Sequence, residues 1–540
     1  MPDLDLLRLE RIAEGLIAPF DRPDTPGVAL GVVRDGALVV HRQAGMASLE
    51  MGVPLASGSV FRIASVSKQF TCAAILMLAA EGRLHVADKV QDHLPELPDF
   101  GATITIDHLM HNTSGLRDML EIMRLGGCDL SMPCRPADLL AGICRQRGLN
   151  FAPGARYLYS NTNFLLLGLI AERVSGMALP AFLQARIFGP LGMTRTAMVE
   201  STNVVVPGLV TGYLPAEGGG WSRAAHGFPL GGEGGLVSSV EDLALWVRHI
   251  SAGHSAALAS ELERLAPFGN GLPNTYARGL QVREYRGLRA IDHGGLWPGY
   301  KTEFLRAPAA GLAVICIANN GTADPWHIAH AMLDAALDGR ADLGPVPVTP
   351  VSAEFAPLAG RYIDRVGGAT LDLSLADGMP TGCTHGVPFQ LRQTADGRLR
   401  ASRSAADFTM RASTGAAGTV LEVEADAGVS ATYHPVQAGA ALPAGLAGAY
   451  RSDEIGAVWR FVAQGQAMGV EVSGPLVRGA VFDVEAIEGD DVRVNVPSAL
   501  FRSWLDVRVA RAGDGTVSGL MVDGGRARGL RFTRIEGAAP

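Results

Sequence analysis

Cysteine is scarce in this 540-residue chain: Cys72, Cys128, Cys134, Cys144, Cys316 and Cys383 are scattered, with no CxxC pair and no histidine close by at metal-ligand spacing. A disulfide scaffold and a zinc-ribbon site are thereby excluded. The six thiols read as small buried hydrophobes, kept reduced. An excess of charge is missing as well. With 46 basic and 54 acidic residues the net charge is −8, which gives no field to gather nucleic acid or anionic membrane. Long apolar runs are also absent near the motifs below, where the longest, residues 72–80, falls far short of the roughly 20 needed to span a bilayer. Residues 1–20 are acidic where a secretory signal is basic and carry a helical apolar period, so they read as an amphipathic first helix. The expected location is the cytoplasm, with no membrane and no nucleic acid as partner.

The length predicts about two to four domains. Asp35-Gly36, between apolar β-branched runs at 26–33 and 37–42, predicts a hairpin. Residues 60–64 read as a short extended approach to a helix that starts at Ser65, is apolar almost all round and ends at Gly82. DHLMHNTSGL, residues 107–116, reads as a helix stopped by a loop, with a packing role. Tyr157 to Asn163 bunch phenols, hydroxyls and amides at a loop-to-helix junction before an apolar helix at 164–175. Gly231-Gly232-Glu233-Gly234-Gly235 lets backbone approach a ligand around one carboxylate, and no GK[ST] follows to make it a phosphate loop. Ser238 or Ser239 would cap the helix after it. Strands are expected at 280–282, 290–295, 302–305 and 312–318, with Gly294-Gly295 marking a close approach of ligand or backbone.

Residues 338–355, rich in Gly and Pro, read as a linker. Beyond them the pattern changes to short alternating strands. Leu358-Ala359-Gly360-Arg361-Tyr362 recurs as Leu446-Ala447-Gly448-Ala449-Tyr450, and each copy opens a similar all-β run. Two antiparallel β-barrels are expected, at 356–440 and 441–540.

The chemistry sits in Ser65-Val66-Ser67-Lys68. On a helix, positions three apart share a face, so the amine of Lys68 can exchange a proton with the Ser65 hydroxyl, the minimum for an activated serine nucleophile. A chance SxxK is common. Followed by Tyr159-Ser160-Asn161 at a loop-helix junction and His293-Gly294-Gly295 on a strand, it resembles the three motifs of the penicillin-recognising serine hydrolases.

That resemblance covers about residues 10–337. It implies an α+β catalytic domain, 1–337, of the β-lactamase/DD-peptidase type: a helical subdomain against an antiparallel sheet flanked by helices, with the site in the cleft between. Ser65 would attack a carbonyl, Lys68 and Tyr159 would take and relay its proton, and Asn161 would bond the substrate's acyl side. The backbone N–H groups of Ser65 and Leu296 would form the oxyanion hole. Which of Lys68 and Tyr159 is deprotonated depends on burial and mutual charge. His293 stands where many relatives have a lysine that holds a substrate carboxylate; a histidine is mostly neutral at pH 7, so carboxylate-bearing substrates become less favoured.

The chain further resembles the D-aminopeptidases, in Ser65 to Cys72 (SVSKQFTC), Ser114 to Asp118 (SGLRD), His-Gly-Gly and the two appended barrels. The resemblance implies a small peptide or amide substrate with a free N-terminal D-residue, no cofactor and no metal, and it is compatible with a homodimer. It also implies a loop of the last barrel in the cleft, expected at residues 473–482, that leaves room for one small residue and none for an N-acylated peptide. A protonated α-amine needs a carboxylate. Glu233 is the first candidate and Asp483, at the end of that loop, the second. Gln281 stands where the family is expected to have asparagine. The competing readings are a broad esterase or weak β-lactamase of the same fold, and a catalytically idle sensor.

Overall fold

The computed structural model describes residues 4–228, 230–251, 255–340, 342–346, 352–376, 378–394, 396–402, 408–415, 418–437, 439–465, 467–496 and 503–536. Part of the expected linker therefore lies outside the described residues. Within it, Ser352–Phe355 forms one helical turn.

Asp-Gly makes the predicted hairpin: Asp35 and Gly36 both take positive φ, 49° and 81°, and join Val28–Arg34 to Ala37–Ala44. This hairpin adds to the far edge of a six-stranded antiparallel sheet. Its spatial order is Gln281–Tyr285, Leu288–Trp297, Tyr300–Ala307, Leu312–Ala318, Val28–Arg34 and Ala37–Ala44. Period-two alternation explains its inner strands. Val28, Leu30 and Val32 pack on one face against Leu6–Ile17 and Pro325–Ala336, while Ala29 and Val33 face the core that includes Val240–Ser251. Ser239, of the two candidate serines, caps the last helix: its Oγ accepts from Asp242 N at 3.2 Å, while Ser238 belongs to the short strand Leu236–Ser238.

The helical subdomain is built on two apolar helices packed together, Lys68–Ala80 and Asn161–Ser175, whose side chains are buried nearly all round. The first differs from expectation at its start. Residues Ala64–Ser67 form a 3-10 turn, and the α-helix begins only at Lys68. Ala64 holds φ at +47°, a strained region for an L-residue with a side chain. The nucleophile candidate thus projects from a tight turn and not from a regular helix face.

Two closed eight-stranded antiparallel barrels follow, the first running from Gly360–Asp364 to Val429–Pro435 and the second from Gly448–Ser452 to Leu530–Ile535. The sequence repeat has a physical basis in both. The Tyr362 hydroxyl donates to the Leu358 carbonyl at 2.9 Å, and the Tyr450 hydroxyl donates to the Leu446 carbonyl at 2.7 Å. Each tyrosine pins the entry of its barrel over the glycine between. The six cysteines are free thiols. Among the described residues no single helix is long and apolar enough to cross a membrane.

Candidate active site

The three motifs converge. Ser65 Oγ receives a hydrogen bond from the Tyr159 hydroxyl at 2.7 Å and lies 3.1 Å from Lys68 Nζ. Lys68 is fully buried, and its other partners are Asn161 Oδ1 at 3.0 Å and the Glu233 carbonyl at 2.6 Å. Burial pulls its pKa below the ordinary lysine range, against the raising effect of Glu233 and Asp118. Burial pushes the Tyr159 phenol the other way, so Tyr159 is the protonated partner and Lys68 the group drawn toward its neutral, basic form.

His293 is buried and neutral. Burial and then the Lys68 charge bring its pKa down to about 3. Its Nδ1 faces the Gly294 carbonyl at 2.7 Å and must carry the proton, which leaves Nε2 to accept from the Tyr276 hydroxyl at 3.0 Å. The strand carrying it runs hard against the nucleophile turn. A side chain on Gly295 would lie 2.3 Å from the Ile63 carbonyl oxygen, so only glycine fits. This approach brings Leu296 alongside the turn, where the expected pairing of Ser65 and Leu296 N–H groups requires it.

A cavity of about 710 Å³ opens over these groups, lined by Ser65, Tyr159, Asn161, Glu233, Gln281, His293, Gly294, Gly295 and Leu296, with Lys68 beneath. Glu233 is buried. Its Oε1 accepts from Gly231 N at 3.1 Å, while Oε2 has no hydrogen-bond partner among the described residues. Burial raises its pKa, opposed by the backbone N–H bonds and Lys68. Gln281 is at the cleft with its side-chain oxygen accepting from Arg283.

Two expectations are corrected. Asp483 is not at the site: strand alternation turns Phe482 into the barrel core and leaves Asp483 exposed to solvent. Residues 473–482 do not enter the cleft. Their hairpin packs on the end of Met119–Leu125, where a side chain at Gly474 would meet the Gly126 carbonyl oxygen at 2.1 Å. The loop that lines the cavity is instead 524–528, from the last hairpin of the same barrel. Both hairpins lie at one end of a closed barrel, so the strand pattern alone does not choose between them. Asn161, expected on the substrate, lines the cavity and is oriented by Lys68 Nζ at its Oδ1 and by Asp118 Oδ2, 2.9 Å from its Nδ2, which keeps a second hydrogen.

Several site residues were missed from sequence. Asp118, wholly buried, closes the SGLRD run, which carries a resemblance but no role of its own in the sequence; it caps Met119–Leu125 through Leu120 N and Glu121 N. Arg526 reaches the site from the last barrel, and residues 384, 385 and 387 of the first barrel line the cavity's far side. The cavity is therefore walled by three domains, and it is roomier than a slot for one small residue.

A serine, a buried lysine and a half-buried tyrosine on a helical subdomain, facing the Leu288–Trp297 strand of an antiparallel sheet, define a serine hydrolase of the β-lactamase class. Residues 12–337 match the Beta-lactamase family, and the chain belongs to it. A D-aminopeptidase of Cereibacter sphaeroides is 31% identical over 80% of this chain and 90% of its own length. A D-aminopeptidase of Brucella anthropi is 27% identical over 95% of this chain and 96% of its own, both barrels included. Among solved structures, D-amino acid amidase from Ochrobactrum anthropi SV3, complexed with L-phenylalanine amide, is 25% identical with a TM-score of 0.53, covering 62% of this chain and 99% of that one.

Proposed function

We propose that this enzyme is a D-stereospecific aminopeptidase or amidase that releases N-terminal D-residues from small peptides and amides through an acyl-enzyme on Ser65. The observation that carries the chemistry is the contact of one hydroxyl with two proton carriers, Lys68 at 3.1 Å and Tyr159 at 2.7 Å. The neutral Lys68 amine takes the Ser65 proton as Oγ bonds to the substrate carbonyl carbon. The N–H groups of Ser65 and Leu296 receive the oxyanion. As the carbon–nitrogen bond breaks, Tyr159 gives its proton to the leaving amine and regains one from Lys68. Water then adds to the ester, its proton passing to the same pair, and Ser65 leaves with its hydrogen restored.

The substrate's class follows from charge. A neutral His293 offers no cation for a carboxylate beside the scissile bond, whereas Glu233 Oε2, without a partner among the described residues, is a buried acceptor suited to an α-ammonium. The D preference is supported by the relatives. Free thiols on all six cysteines suit the reducing cytoplasm, where we place the enzyme.

The test compares D- and L-alanine p-nitroanilides on the wild type and Ser65→Ala. Release from the D-enantiomer alone, abolished in the variant, is expected. Equal rates for both enantiomers would sink the stereospecific reading, and ester turnover without any amide release would make the protein an esterase of the same fold.

A further inference from the structure

We propose that Arg526, a residue of the last barrel, is a positioning residue for acyl transfer, acting through Asp118 and Asn161 on Lys68. The contacts form an unbroken line from barrel to base. Arg526 Nη1 lies 3.6 Å from Asp118 Oδ2, and its Nη2 donates to Glu121 Oε1 at 3.1 Å. Its carbonyl accepts from Asp118 N at 3.0 Å, so the loop is also held by backbone at the same residue. Asp118 Oδ2 then accepts from Asn161 N at 2.6 Å and from its Nδ2 at 2.9 Å, and Asn161 Oδ1 receives Lys68 Nζ at 3.0 Å.

Asp118 is a buried anion one residue away from the catalytic amine, and a buried charge needs a counter-charge. Four hydrogen bonds from Leu120, Glu121 and Asn161 satisfy its lone pairs, but they carry no net charge. Arg526 supplies the cation. Without it the pull of Asp118 on the Lys68 proton is no longer offset, and Lys68 would hold that proton and stop acting as a base. The other groups around Lys68 are Ser65 and Cys72 on its own segment, Tyr159, the Glu233 carboxyl and carbonyl, and His293; around Arg526 they are Glu121, itself shared with Arg124, and Tyr159. Among these the Arg526 charge favours the free amine, while Asp118 and Glu233 oppose it. The barrel thus completes the electrostatics of the base as well as walling the cleft.

This role rests on the acyl-enzyme chemistry proposed above, and its test uses p-nitrophenyl acetate, which has no amine. The limb is then read whether or not D-amides are substrates, so the two ideas fail separately. On the full chain, kcat/KM is followed from about pH 5.5 to about pH 9.5, with Ser65→Ala as background. Arg526→Gln is expected to move the rising limb to higher pH by about half to one unit and to lower kcat/KM at neutral pH by roughly three- to tenfold, with recovery on the alkaline plateau. Arg526→Lys should return the limb most of the way. Glu454→Gln, which breaks the separate Arg117–Glu454 docking pair, should lower the melting temperature and leave the limb in place. If Arg526→Gln does not fold, Arg526→Met, which keeps the apolar stem, is read instead. A limb that stays put or moves to lower pH in the Arg526 variant, or one that moves equally in Glu454→Gln, would overturn the proposal.

Discussion

The carbonyl oxygen of Glu233 lies 2.6 Å from Lys68 Nζ, while the same residue keeps one carboxylate oxygen, Oε2, buried and without a hydrogen-bond partner among the described residues. Glu233 therefore fixes the base by its backbone and faces the cleft with its side chain. Glu233→Gln keeps the first contact and removes the charge of the second. On D-alanine p-nitroanilide kcat/KM should fall by about 10- to 100-fold, the range of one charged hydrogen bond, and mostly through KM. The loss on p-nitrophenyl acetate should be at least roughly tenfold smaller, since that ester has no ammonium to bind. Equal losses on both substrates would remove Glu233 from amine recognition.

His293 makes stability fall with acid. Its folded pKa, about 3, is far below that of an exposed histidine. Above about pH 6.5 both folded and unfolded states hold it neutral. As the pH drops below that, only the unfolded state takes up the proton, so the folded state loses ground until the pH reaches the folded value. By pH 4.5 the loss from this one residue is about 2–3 kcal/mol. His293→Gln, which does not titrate, should shrink the difference in urea stability between neutral pH and pH 4.5 by about that amount. An unchanged acid slope would mean that His293 titrates normally.

Gly295→Ala separates position from chemistry. The added methyl would lie 2.3 Å from the Ile63 carbonyl oxygen, so the Leu288–Trp297 strand must retreat from the Ser65 turn. No proton carrier is altered, yet one oxyanion donor moves out of place. A fall in kcat of about 10²-fold or more is expected, with the melting temperature reduced but folding retained. Near-normal kcat in a folded variant would show that Leu296 is not part of the oxyanion hole.

What was legible in the sequence is what short spacing encodes. Ser65 and Lys68 are three apart, Tyr159 stands two residues before the helix that begins at Asn161, and His-Gly-Gly lies on one strand, so each motif is complete within a few residues. Lysine usage held a further signal: the chain has three, Lys68, Lys89 and Lys301, and two of them belong to the cleft. The fold was legible for a similar reason, since hairpin turns, strand alternation and the Leu-x-x-x-Tyr repeat are local. Arg526 was not. Its partner Glu121 is 405 residues away, and no periodicity says which hairpin of a closed barrel meets the catalytic domain. Asp118 stood in a quoted motif, but a carboxylate that caps a helix and one that orients a base look alike in sequence. The 3-10 turn at Ser65 was hidden because Ala64 takes a left-handed conformation that its residue type does not announce.

The loop at 524–528 is expected to limit which substrates enter. It lines the cavity with Gly524, Gly525, Arg526 and Arg528, and its Gly525 packs against His385 of the first barrel. The hairpin at 474–477 is at the same end of the second barrel but docks on Gly126, outside the cavity. Replacing 525–527 by a short glycine link should raise the ratio of kcat/KM for N-acetyl-D-alanine p-nitroanilide to that for the free amine by roughly tenfold or more, by opening room for the acyl group. Using the ratio removes the loss of rate expected when Arg526 goes. The same replacement within 474–477 should leave the ratio unchanged. If that second variant broadened acceptance and the first did not, the wall of the cleft would belong to the other hairpin.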